Sequence, residues 1–379
     1  VTRLRQLAYL AFGVACAHLV FGAIVRISGS GMGCGDHWPR CYGRWFPPLS
    51  RPDLVIEVSH RYLASILLLS LLALLASAWR HRSEPGVSGR GGPLRGAALA
   101  VALGFAAAIL GAITVKLGNA PLATVAHWTV AMSLVAAVVA TVIRTGGLGG
   151  SAARLGGASR RTRRAAFAAA ALALVTVVMG GLTAKYPGAA VACQSFPLCG
   201  RNPDVAGAAV HVQLTHRVLA VLLVLHVFGM VMALRKRREA PVVRRAAAIA
   251  FGLGVLQLLV AGAMIGMRLP PALRSLHEAT GVSIWIAAFA LAYLARIASE
   301  GTAAMRQSSP TVASAPDGAG PSAADAAAIR ASVASRHAYA SALAEAPPAT
   351  EGPPPSSVAP LTMTMQHSVA VIVARGADH

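Results

Sequence analysis

The phrases "VSHRYLA" at Val58–Ala64 and "LTHRVLA" at Leu214–Ala220 decide the fold. Each sets a His-Arg pair near the start of a long apolar stretch. An ionisable side chain inside an apolar span is expensive, so it marks function by default. His60 and His216 are 156 positions apart, and what surrounds them repeats as well. Gly22 precedes Cys34 by twelve residues, as Gly181 precedes Cys193. Each of these cysteines is followed by a proline and a second cysteine, giving Cys34–Pro39–Cys41 and Cys193–Pro197–Cys199. The His-Arg stretch comes next, then another apolar stretch, then one carrying His127 or His277.

Apolar stretches of about 20 residues lie at 7–27, 55–78, 97–116, 122–143, 165–184, 209–233, 246–267 and 273–296, each long enough to cross a hydrocarbon layer of roughly 30 Å. Arg268, Pro270 and Pro271 crowd the last join. The first stretch reads as a retained span, because its apolar run is too long for a removable leader. The expected architecture is an all-α polytopic membrane protein. Its eight transmembrane helices form two tandem four-helix bundles related by a pseudo-twofold axis. The boundaries are 1–150 for the first bundle, 151–300 for the second and 301–379 for a disordered cytoplasmic tail. That tail is rich in Ala, Pro and Ser and too poor in large apolar residues to offset its ordering entropy.

Of the 379 residues, 56% are hydrophobic and 12% charged, which excludes an ordinary soluble domain. The net charge of +21 does not mark a nucleic-acid binder, because Lys and Arg concentrate in alternate loops. Arg3 and Arg5, Arg80 to Arg95, Arg144 to Arg164 and Arg235 to Arg245 form the dense set. The positive-inside rule therefore places both termini in the cytoplasm, with the lipid bilayer as the surrounding partner and no nucleic acid.

Both cysteine pairs then face outward, where disulfides persist. They read either as staples over the bundle mouths or, for Cys34 and Cys41, as a pair that cycles between thiol and disulfide. Cys16 reads as a buried apolar residue. Trp38, Tyr42 and Trp45 suit an interfacial aromatic belt.

His60, His127, His216 and His277 lie at matching depths, His60 roughly 8 Å inside its helix. Four such imidazoles suggest one axial pair per bundle for a metal-bearing ring, most simply haem. His18, His211 and His226 lack duplicated counterparts and read as packing or hydrogen-bonding residues. Arg61 and Arg217 are candidate contacts for propionates, or else they snorkel to the interface. Glu57 precedes His60 by three residues, whereas Gln213 stands before His216. A carboxylate can act as a base or stabilise a developing cation, and an amide cannot do so by ionising. The first half is therefore expected to do chemistry and the second to hold a permanent cofactor. The bland alternative pairs Glu57 with an arginine at the membrane edge. Glu278 carries less weight, since a neighbour at i+1 of His277 points elsewhere on the helix.

"GSGMGC" at Gly29–Cys34, the outward cysteines, "IEVSHR" at Ile56–Arg61 and the duplicated histidines together resemble the haem A synthase family, over about residues 5–297. The resemblance implies an oxidoreductase that converts the C8 methyl of haem O to a formyl group by successive hydroxylations, giving haem A for cytochrome oxidase. It implies His60 and His127 as ligands of the substrate haem O, and His216 and His277 as ligands of a haem b. Glu57 becomes the catalytic carboxylate, and Cys34 with Cys41 a redox or structural pair. Haem O synthase and an unidentified electron-transfer protein are the expected partners, in a bacterial inner membrane. The competing reading is a di-haem b-type cytochrome that moves electrons through the same histidines.

Overall fold

The computed structural model describes residues 2–89, 91–237 and 239–308, with side chains described to residue 301. The helices are α1 (Thr2–Ile27), α2 (Pro52–Arg80), α3 (Pro93–Lys116), α4 (Pro121–Arg144), α5 (Gly150–Leu155), α6 (Arg160–Lys185), α7 (Gly207–Lys236), α8 (Pro241–Gly266) and α9 (Pro271–Ser308). All except the short α5 are long and apolar enough to cross a membrane. In lipid every backbone group must bond within its own segment, and a helix achieves that. Helix α9 runs past the boundary expected at 300, and the remainder of the expected tail, from 309 on, lies outside the described residues.

Five of these helices begin on proline, where its missing N–H costs nothing and its fixed φ suits the first turn. The crowded join before α9 turns within four residues. Arg268 and Leu269 take φ of 60° and 65°, and Pro271 starts the helix. The α3–α4 join does the same with Gly118 and Asn119 at 58° and 59°, ahead of Pro121. The duplicated halves thus make one turn with different residues.

In the first half α1 packs on α2, α2 on α3, α3 on α4, and α4 returns to α1. In the second, α6, α7, α8 and α9 close the same ring of neighbours. This arrangement is compatible with tandem bundles. The halves meet where α1 and α4 lie against α6 and α9. Ala8, Ala11 and Ala15 on α1, and Ala166, Ala169, Ala170 and Ala173 on α6, are buried small residues of the kind that let helix backbones approach closely. Without a hydrophobic drive between helices in lipid, such close backbone approach supplies the attraction. Trp285 on α9 donates from Nε1 to the Met132 carbonyl of α4 at 3.0 Å, a hydrogen bond across the seam.

At the arginine-rich end, Glu239 in the α7–α8 turn is buried against the start of α6. It accepts from Ser159 N–H at 2.9 Å, Ser159 Oγ at 2.7 Å and Thr162 Oγ1 at 2.7 Å. Burial works to raise its pKa, but the hydrogen bonds from Ser159 and Thr162, helped by Arg237, hold it below the ordinary glutamate value. A depressed carboxylate adds stability above its unfolded pKa, and that stability is lost as pH falls through the folded value. Glu239→Gln is therefore expected to destabilise the fold by about 1–3 kcal/mol at neutral pH. Thermal unfolding in detergent checks this: the gap between variant and native midpoints should close as the buffer is taken below the ordinary glutamate pKa. Equal midpoints at pH 7 would show that the cluster contributes nothing.

Candidate functional site

Both disulfides form, Cys34–Cys41 with Cα atoms 4.9 Å apart and Cys193–Cys199 with Cα atoms 4.7 Å apart. They lie in the loops after α1 and after α6, at one end of the molecule. Cys16 is a free thiol and only half-buried. Trp38, Tyr42 and Trp45 are exposed in the first loop, as an interfacial belt requires.

Each disulfide loop is held from below by the His-Arg helix. Glu57, 4% exposed, accepts the Cys34 N–H at Oε2 (2.9 Å), while Oε1 takes Arg61 at 2.5 Å. Gln213 does the matching work in the second half, accepting the Cys193 N–H at 2.6 Å. Arg61 also donates to the His37 and Pro39 carbonyls, each at 3.0 Å. Arg217 donates to the Ser195 carbonyl at 2.7 Å and the Cys193 carbonyl at 3.2 Å. The two arginines thus clamp the loops, a role that sequence reading did not give them. Both also border the cavity described next.

That cavity measures ≈ 1610 Å³ and runs through both halves, bordered by His60, His127, His216 and His277 alike. A single small-molecule pocket occupies roughly 300–1,000 Å³, so this space suits two large flat ligands better than one. Glycines open room beside three of the imidazoles. An added Cβ at Gly22 would lie 3.2 Å from His60 Cε1, at Gly111 3.3 Å from His127 Cε1, and at Gly180 2.9 Å from His216 Cε1.

Two of the four rings are oriented by backbone carbonyls. His127 bonds through Nδ1 to the Ala107 carbonyl at 2.9 Å, and His216 through Nδ1 to the Thr176 carbonyl at 3.0 Å. Each bond leaves Nε2 for a metal, and such outer partners fix the tautomer of metal-binding histidines. The His216 and His277 ring centres are 6.4 Å apart with planes 81° apart. Two imidazoles on one iron, each bond about 2.0 Å long, put ring centres about 6 Å apart. The spacing of the second-half pair is compatible with two axial ligands on one iron. Gln257, which stands where the first half has Ala107, places Nε2 3.3 Å from His277 Nε2 and 2.9 Å from its carbonyl.

His211 and His226 bond to the Gly207 and Ala165 carbonyls, as hydrogen-bonding residues. His18 packs, as expected, but at the cavity itself: it stacks on His60, with ring centres 4.2 Å apart and planes 7° apart. Glu278 also does more than expected. It forms an ion pair with Arg26 of α1, joining the halves beside the cavity. The matching position after His127 is Trp128, whose ring crosses to α6 and occupies the space a side chain at Gly181 would need. At the same end Lys116 reaches Asp36 at 3.4 Å and holds that carboxyl below its ordinary pKa.

Known proteins of one family resemble this chain. The family model COX15-CtaA, described as "Cytochrome oxidase assembly protein", matches residues 5–289. A "Heme A synthase" of Geobacillus thermodenitrificans is 30% identical over 257 residues, 65% of this chain and 77% of the relative. One from Shouchella clausii (strain KSM-K16) is 30% identical over 210 residues, covering 54% and 67%. One from Bacillus cereus (strain G9842) is 27% identical over 265 residues, covering 69% and 83%.

Proposed function

We propose that this chain, which belongs to the COX15-CtaA family of cytochrome oxidase assembly proteins, oxidises the C8 methyl of haem O to a formyl group, yielding haem A. The observation that carries this reading is the pair of duplicated imidazole sites around one cavity, with a carboxylate at one and an amide in its place at the other. A permanent electron-transfer cofactor needs no such difference. A site that builds positive charge on a carbon does.

In this reading His60 and His127 hold the substrate and His216 with His277 hold a resident haem b. When bound, that haem supplies one-electron redox chemistry. The chain's own residues do the rest. Ala107 and Thr176 carbonyls orient two of the imidazoles, and Glu57 sets a negative charge at the rim of the first site. The apolar walls keep bulk water from the reacting methyl and admit a lipid-soluble substrate sideways between helices. Arg61 and Arg217 serve the propionates in addition to clamping the loops. The disulfides act as staples over the cavity's outer end. The chain sits in a bacterial inner membrane with its arginine-rich end and both termini cytoplasmic, and it receives haem O from haem O synthase.

The test is expression in a host that makes haem O but no haem A, followed by extraction and chromatography of the pigments. A new haem A peak is expected. Bound haem without that peak, with haem O present, would return the chain to the electron-carrier reading.

A further inference from the structure

Three of the four cavity imidazoles are held by polar contacts. His127 and His216 are anchored by carbonyls and His277 lies against Gln257. His60 differs. Its Nδ1 is buried without a hydrogen-bond partner among the described residues, as are Nδ1 of His277 and Nε2 of His18, but His277 keeps Gln257 beside its other nitrogen whereas the His60 ring makes no hydrogen bond among the described residues. What His60 has instead is a seat on α1. The His18 ring lies flat against it, and Gly22, one turn further along, leaves room for its Cε1. Phe21 lies nearly parallel at a longer 6.4 Å. The second half keeps the glycine, Gly180, beside His216 Cε1 but not the ring: Val177 stands 159 positions after His18, and His216 is tied to the Thr176 carbonyl instead.

We propose that His18 is the positioning residue of His60, holding that ring by stacking alone and so making it the exchangeable ligand on the substrate side. The proposal rests on the haem-binding reading above. A ring fixed by a carbonyl must break a directional bond to swing away, whereas a stacked ring slides. The substrate site must admit one haem and release another, and its iron must lose a ligand if oxygen is to reach it. The resident site has neither need. Stacking on His18 accordingly sets how readily His60 leaves the iron.

The measurement is carbon monoxide binding to the reduced full-length chain loaded with haem O, since that gas binds only after an axial ligand leaves. An aromatic stack shifts an equilibrium by about two- to tenfold, so His18→Val should speed the substrate-side phase by that factor. His18→Phe, which keeps a flat ring and drops the nitrogens, should stay near the native rate. Loss of haem O from His18→Val but not from His18→Phe would support the same stack at larger amplitude. Unchanged rates in His18→Val would overturn the proposal, as would equal defects in both variants, because the nitrogen and not the face would then matter. Failure of the haem-binding reading looks different: the native chain would take up no haem O that His127→Ala removes.

Discussion

Glu57→Gln is expected to cut haem A formation by about 100-fold or more, the scale of a lost charged catalytic group, while the chain keeps both haems and its Cys34–Cys41 bond. The duplicated half argues that the loop survives this change. Gln213 accepts the Cys193 N–H with an amide oxygen, in the same place where Glu57 accepts the Cys34 N–H. An amide at 57 can keep that bond. It gives up the bond to Arg61, but Arg61 retains the His37 and Pro39 carbonyls, much as Arg217 holds its own loop without a carboxylate. The substitution therefore removes the negative charge at the first site together with its ion pair to Arg61, and leaves the loop's other bonds in place. Pigment extraction measures the product, and non-reducing electrophoresis with mass analysis reports the disulfide. Native haem A output from Glu57→Gln would reduce Glu57 to a loop anchor, and loss of the disulfide would mean that the variant tests folding.

The spans and both disulfides were legible because each leaves a local mark: a run of apolar residues, or two cysteines a few positions apart in a spacing repeated after 159 positions. The same repeated spacing singles out the four histidines that border the cavity. What escaped depends on how helices cross. His18 has Val177 as its counterpart, so the repeat hides it, and only the closeness of α1 and α2 lays its ring on His60. The loop-clamping bonds of Arg61 and Arg217 escape the sequence because the carbonyls they meet lie more than 15 residues away in a folded loop. Glu278 was set aside as pointing off the ligand face of its helix. It does point away, and the face it reaches belongs to the other half, where Arg26 waits. A helix between two bundles has two functional faces, and periodicity alone reports one.

His216→Ala is expected to remove the resident haem and with it all haem A formation, while His127→Ala leaves that haem in place. The geometry also supplies a subtler version. An added Cβ at Gly180 would fall 2.9 Å from His216 Cε1 and 3.4 Å from Nδ1, so Gly180→Val must push the ring off its bond to the Thr176 carbonyl. Loss of an outer partner of a metal-binding histidine costs about 10–100-fold in affinity. Gly180→Val should thus weaken retention of the resident haem by that factor without touching a ligand. Haem per chain after detergent purification, read as a pyridine complex, separates the cases. His216→Ala should keep at most the substrate-side haem, with the six-coordinate resident signal gone, and Gly180→Val should lose its resident haem progressively on dilution. An unaltered six-coordinate signal in His216→Ala would mean that another side chain faces His277 across the iron. The 6.4 Å spacing and perpendicular planes of the His216–His277 pair would then have to be a coincidence of packing.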